Sequence, residues 1–152
     1  NEKLVNMLVN NKSKCIISSK NGKGFVADLS EIETSQKKGK QLFNLKSKDE
    51  IICIRNNIFK YVACVSTNSK LLIFKTSELP TLKKGVGVQL IKIKDKDALS
   101  DIISFNDDDG IKWQIGSQIK NEKNIDFWLG KRSQSGKKVP KRFNKDLKFF
   151  FK

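Results

Sequence analysis

Tyr61-Val62-Ala63-Cys64-Val65-Ser66-Thr67-Asn68-Ser69-Lys70-Leu71-Leu72-Ile73-Phe74-Lys75 reads as an apolar strand, a short polar turn and a second apolar strand. Forty-seven residues upstream the same order returns: Ile17 aligns with Cys64, Ser19 with Ser66, Asn21 with Asn68, Lys23 with Lys70 and Phe25 with Leu72. Asn21-Gly22 is the strongest hairpin signal of the chain, because a tight two-residue turn needs residues that tolerate positive φ. The alignment extends outward through Leu4 with Ile51, Val5 with Ile52, Ser30 with Ser77, Glu31 with Glu78 and Ile32 with Leu79. It then slips by one residue, so that Gln41-Leu42 meets Gln89-Leu90.

A third, weaker copy starts at Asp101-Ile102-Ile103, which resembles Glu50-Ile51-Ile52. It runs through Trp113, the turn Gly116-Ser117 and Ile119 to Val139-Pro140. The repeats therefore span about 3–49, 50–97 and 98–140, with a basic tail at 141–152, all in a single domain. Within copy two the pattern predicts strands over Glu50–Arg55, Tyr61–Ser66, Lys70–Lys75 and Gly85–Ile93, with Thr76-Ser77-Glu78-Leu79-Pro80 as a polar connection. Four short strands per period of 40–50 residues suggest an all-β, propeller-like array of about three blades. Helical repeats would show a 3.6-residue apolar period, which these segments lack.

The 152 residues include 31 Lys+Arg, 16 Asp+Glu and no histidine, for a formal net charge of +15. A hydrophobic share of 38% with ten Phe supports a packed core rather than a disordered tail. Part of the lysine excess goes with a Lys- and Asn-rich composition. The remainder makes a positive field suited to polyanions, of which nucleic acid is the commonest in a cell. Cys15, Cys53 and Cys64 lie in apolar runs without CxxC spacing and read as small buried hydrophobes in a reducing compartment. No apolar stretch is long enough to form a transmembrane helix. The chain starts at Asn1 with Leu4–Val9 already strand-like, as a piece cut from a longer protein would.

Each copy places basic residues and glycine just before its last strand. These are Gln36-Lys37-Lys38-Gly39-Lys40-Gln41, Leu82-Lys83-Lys84-Gly85-Val86-Gly87 and Gly130-Lys131-Arg132-Ser133-Gln134-Ser135-Gly136-Lys137-Lys138. Glycine permits a sharp turn and close approach to a ligand, while lysines and exposed N–H groups suit phosphate oxygens. With the recurring turn lysines, the candidate contacts are Lys23, Lys37, Lys38, Lys40, Lys70, Lys83, Lys84, Lys131, Arg132, Lys137 and Lys138. A row of such cations follows a duplex backbone and reads little base sequence. Phe43, Phe59, Phe74, Phe105 and Trp113 sit in strand-like runs and are expected in the core.

The lack of histidine removes histidine-based triads and histidine–metal sites together. Asp107-Asp108-Asp109-Gly110 lacks the alternating spacing of a calcium loop and reads as a turn. Tyr61, the only tyrosine, lies in an apolar run and is expected to be packed. No GxxxxGK[ST] loop occurs. Catalytic, metal and cofactor sites are thus expected to be absent from this chain.

Several stretches together resemble the C-terminal domain of the ParC-type subunit of bacterial topoisomerase IV, with an alphaproteobacterial look. They are Gly24-Phe25-Val26, Lys38-Gly39-Lys40-Gln41-Leu42-Phe43-Asn44-Leu45, Lys70-Leu71-Leu72-Ile73-Phe74, Ser77-Glu78-Leu79-Pro80 and Lys84-Gly85-Val86-Gly87-Val88-Gln89-Leu90. Leu99-Ser100-Asp101, Asp109-Gly110-Ile111-Lys112-Trp113 and Gly136-Lys137-Lys138-Val139-Pro140-Lys141-Arg142-Phe143 complete the set. The resemblance implies a β-pinwheel and a DNA-holding role on a basic rim, in a type II topoisomerase that passes one duplex through another. It further implies a homodimeric parent that pairs with a separate ATPase subunit. ATP and Mg2+ would then be used in other domains, in the cytoplasm at the nucleoid. The related gyrase domain carries a glutamine–basic–Gly-Gly box, which Gln36-Lys37-Lys38-Gly39-Lys40 matches in part. Guiding of the transported segment is therefore expected in place of gyrase-like wrapping. The alternatives are a blade-type protein-interaction module and an RNA-binding domain.

Overall fold

The computed structural model describes residues 14–28, 50–55, 57–82, 87–94 and 96–150. In chain order its strands are β1 (Lys14–Ser19), β2 (Lys23–Asp28), β3 (Ile51–Arg55), β4 (Tyr61–Ser66), β5 (Lys70–Lys75), β6 (Thr81–Leu82), β7 (Val88–Gln89), β8 (Leu99–Phe105), β9 (Ile111–Ile115), β10 (Gln118–Glu122) and β11 (Lys137–Lys138). A 3-10 turn, Thr76–Glu78, interrupts them within the expected polar connection. β4 and β5 have the bounds read from the sequence. The expected Gly85–Ile93 strand is reduced, among the described residues, to Val88–Gln89. The backbone changes partner there: Leu90 N donates to Gly22 O, whereas Lys92 N donates to Gln134 O.

Among the described residues the strands form three sheets. β1 and β2 make an antiparallel hairpin flanked by β3 on one side and by β6 and β7 on the other. β4 and β5 make the second hairpin, flanked by β8 and β11. β9 and β10 form the third, two-stranded sheet. The first two sheets repeat one register. β3 meets β1 with a register shift at Ser18/Ser19, and β8 meets β4 with the same shift at Val65/Ser66. Thr81 pairs parallel to Val26, and Leu129 pairs parallel to Ile73. Val26 N donates to Pro80 O at 3.0 Å, as Ile73 N does to Trp128 O.

Each of the first two hairpins thus receives both flanking segments from the copy that follows it. Copy two, which reads as four consecutive strands, does not make its own sheet. Its first and last strands serve the hairpin of copy one. The pairing also places Asp101 opposite Val65, where Cys53 stands opposite Ser18. Asp101 is therefore the structural counterpart of Cys53, whereas the sequence alignment set it against Glu50.

The middle sheet explains why β4 is an unbroken apolar run: all six of its residues are buried. Successive side chains alternate between faces. Val62 and Cys64 enter a core shared with Ile16, Val26, Leu90 and Ile102, and Tyr61, Ala63 and Val65 enter a second one with Ile111, Trp113 and Trp128. The sheet is a partition between two cores, so it has no polar face. Burying a side chain such as Phe74 stabilises such a core by about 1.5–3 kcal/mol relative to exposure. Phe74, Phe105 and Trp113 are buried as expected. Phe59 is not: it is 40% exposed, on a bend held by Ser104 Oγ, which accepts from Phe59 N, and by Thr76 Oγ1, which donates to Phe59 O. Phe43 lies outside the described residues, as does Leu4–Val9.

Asp101 ties the first two sheets together. Its Oδ1 pairs with Arg55 Nη2 at 2.6 Å and accepts from Ile102 N, while Oδ2 accepts from Phe149 N. Arg55 Nε also donates to Ile102 O. The C-terminal segment follows this anchor onto β9: Phe150 N donates to Lys112 O, and Trp113 Nε1 donates to Arg142 O. Phe143 packs on Trp113 with ring centroids 5.1 Å apart, and Phe149 is buried. The segment read as a basic tail is folded through its aromatic residues, with Lys141, Lys145 and Lys148 left exposed.

Candidate nucleic-acid interface

The donated segments bring predicted cations from different copies together. Lys138 of β11 lies directly opposite Lys70 of β5, and Gln89 of β7 lies opposite Lys23 of β2. Directly opposite residues of an antiparallel pair share a face, and like charges so placed repel. An anion placed between Lys70 and Lys138 would relieve that repulsion. Lys137, one residue along, faces the other way, its Nζ 4.5 Å from the centre of the Phe127 ring. Lys131, Lys137 and Lys138 are exposed, and Lys23 and Lys70 are half-buried. Lys37, Lys38, Lys40, Lys83 and Lys84 lie outside the described residues.

Arg132 has a different setting. It is half-buried, its Nη1 donates to Gln89 O at 2.8 Å, and its backbone N donates to Glu78 Oε1 at 3.0 Å. The guanidinium joins the third copy's loop to β7 and is engaged within the protein. Its Nε is buried without a hydrogen-bond partner. Glu78, which recurs in sequence as Glu31, is the anchor of this loop, a role its recurrence alone did not disclose.

Two features of the loop differ from expectation. Its backbone donors are used internally: Gly130 N donates to Ile73 O, Lys131 N to Gln134 Oε1, Ser133 N to Leu90 O and Gln134 N to Lys131 O. From Gly130 to Gln134 the loop offers an anion the side chain of Lys131 and not its N–H groups. The glycine requirement also has another cause. Gly87 (φ 79°) and Gly136 (φ 76°) cross the host strands so closely that a Cβ would come within 2.6 Å of Gly24 O and of Leu71 O, respectively. The close approach is to the neighbouring backbone, not to a ligand.

Cations that the loop motif did not include also lie here. Lys92, at the exposed end of the alternation Ile91-Lys92-Ile93-Lys94, faces a cleft of about 440 Å³ that Lys137 also lines. Lys20 is exposed at the tip of the first hairpin. Tyr61 is buried against Phe105, and Asp107–Asp109 form a turn in which Asp107 pairs with Lys60 at 2.8 Å. That pairing raises the Lys60 pKa and lowers that of Asp107, chiefly through their hydrogen bond. Burial pushes the thiols of Cys15 and Cys53 up to about 12, and that of Cys64 up as well. All three are free and buried, which fits their reading as packing groups.

Repeats that lend strands to the preceding sheet, stacked over shared cores, define a β-pinwheel of the propeller class. More narrowly, the chain belongs to the DNA gyrase C-terminal domain, beta-propeller family, whose profile matches residues 13–53 and 60–106. Among curated relatives, the A subunit of DNA topoisomerase 4 from Rickettsia bellii is 40% identical over 134 residues, covering 88% of this chain and 18% of that protein. The chain thus spans about a fifth of the length of such relatives. The solved E. coli ParC C-terminal domain superposes with a TM-score of 0.69 at 18% identity, covering 90% of this chain and 59% of that one. A DNA gyrase A C-terminal domain superposes at 0.59 with 25% identity, covering 85% and 43%.

Proposed function

We propose that this chain is the duplex-DNA-holding domain of a type II topoisomerase, as part of a ParC-type subunit of topoisomerase IV. The observation that carries the reading is the pairing of Lys70 with Lys138 across β5 and β11, on the donated edge of the middle blade, with the exposed Lys131 and Lys137 in the same donated segment. The cross-strand lysine pair would bind phosphate without reading bases, and Lys37, Lys38, Lys40, Lys83 and Lys84 are further candidate contacts by their loop motif in the sequence. Lys23, opposite Gln89, offers the first blade a single cation at the equivalent position. Arg132 acts by fixing the loop.

In this reading the domain bends and guides a transported segment during decatenation and supercoil relaxation, and it performs no reaction itself. Strand cleavage and ATP hydrolysis with Mg2+ belong to other domains of a cytoplasmic, nucleoid-associated assembly, in which a homodimer of the parent pairs with the ATPase subunit. The resemblance to topoisomerase IV supports this division of labour.

The test is filter binding of relaxed and supercoiled DNA across a salt series. Log affinity should fall against log salt by roughly 0.9 per neutralised phosphate. Replacing Lys70 and Lys138 with Ala should reduce that slope by about 2. Adding Ala at Lys37, Lys38, Lys83 and Lys84 should reduce it further. Affinity insensitive to salt, or unchanged in these variants, would overturn the proposal. Bound RNA that excess duplex DNA fails to displace would favour the RNA-binding alternative.

A further inference from the structure

The turn before the third basic loop displays an aromatic ring in a way its counterpart does not. Trp128 N and Leu129 N both donate to Ile125 O, and Trp128 is buried with its Nε1 donating to Lys138 O at 2.8 Å. This holds Trp128 in and turns its neighbours out: Phe127 is 58% exposed and Leu129 40% exposed. By the matching parallel bridges, Leu129 occupies the place of the exposed Thr81 in the preceding blade, and Phe127 that of Leu79. Leu79 is only 7% exposed. The middle blade therefore shows two large apolar groups where the first shows a threonine and a buried leucine.

Those groups border the cleft that Lys92 and Lys137 line, together with the polar Gln134 and Ser135. Among the described residues no acidic side chain lines it. Its volume of about 440 Å³ falls within the ~300–1,000 Å³ of small-ligand sites. A ligand complementary to this cleft needs a flat apolar face for Phe127 and negative charge for two ammonium groups. A nucleobase with its phosphates provides both, but only when the base is unpaired, because a base inside a duplex offers its faces to its neighbours.

We propose that this cleft binds an unpaired nucleotide of a DNA strand, its base stacked on Phe127 and its phosphates held by Lys92 and Lys137. The Lys137 ammonium lies 4.5 Å from the ring centre, so an entering base would displace it from that face toward its own phosphate. Polar groups at the rim let any base enter, since stacking is sequence-tolerant. The site goes beyond duplex holding and shares with it only Lys137. A domain that meets underwound or frayed DNA would in this way grip a base as well as the backbone.

Fluorescence anisotropy of the 152-residue chain with labelled oligothymidylate and with a labelled duplex tests the site. Phe127→Ala should weaken oligothymidylate binding on the order of tenfold, as expected for loss of a stacked base, and change duplex binding by less than about twofold. Phe127→Trp should restore it. Inorganic polyphosphate, which carries charge without bases, should displace oligothymidylate from the wild type poorly and from Phe127→Ala readily. Equal single-strand affinity of wild type and Phe127→Ala, or equal weakening toward both DNAs, overturns the proposal. Single-strand binding that survives while the wild type fails to hold duplex would overturn the duplex reading alone.

Discussion

The middle hairpin, β4–β5, and the last one, β9–β10, are copies of one motif with opposite surroundings. In β4 every residue is buried, and β5 is buried over Leu71–Phe74. In β10 no residue is, and Ile115 and Ile119 at the last hairpin's turn are 36% and 44% exposed. The middle hairpin takes strands from copy three on both edges. The last one has only the C-terminal segment against β9 among the described residues. A repeat of this kind does not bury its own hairpin, and burial is supplied by the next copy along the chain.

That comparison can be broken most forcefully at Phe74. Replacing it with Ala should cost about 3–5 kcal/mol in urea unfolding, whereas Ile119→Ala should stay within about 0.5 kcal/mol. Similar costs at both sites would refute the contrast. Asp101→Ala removes the link between the first two sheets and takes away the carboxylate that faces Arg55, for an expected loss of about 3 kcal/mol. Hydrogen exchange should then rise at Ile102 and Phe149, whose amides Asp101 now holds.

Gly136→Ala forces a Cβ onto Leu71 O and should cost about 2 kcal/mol, while loosening β11 and lowering duplex affinity through Lys138. Gly116→Ala, at the last hairpin's turn, meets nothing within 4 Å and should cost only about 1 kcal/mol, the left-handed backbone penalty.

The effect that is smallest at neutral pH is one of titration. The buried thiols keep their protons in the fold to about 12, while the unfolded chain releases them near 9.0. Their contribution to stability is complete below pH 9.0 and fades as pH rises toward 12, so urea midpoints should decline over that window. Cys53→Ser should shift the onset of that decline little, and the triple serine variant should flatten it.

Much of this was legible in the residues. The hairpins at Asn21-Gly22 and Thr67-Asn68-Ser69 announce themselves through turn chemistry, and the positions of β4 and β5 through apolar runs bounded by polar turns. Ser19 and Ser66 recur because each closes its hairpin: Ser19 Oγ accepts from Lys23 N, and Ser66 Oγ donates to Lys70 O. Lys138 and Lys70 were legible as separate cations but not as a pair. Phe59 sits in an apolar run like a core residue, yet its exposure depends on a bend whose hydrogen-bond partner, Ser104, lies far away in sequence.

The amino-acid sequence by itself determined the strands, their turns, the repeat and the positive charge, because each depends on local periodicity or on composition. Only the tertiary structure decided which copy completes which blade, since backbone ladders form between segments whose local signals are alike. Through that choice it set Lys138 beside Lys70, turned Arg132 onto Gln89 and left Phe127 facing a basic cleft.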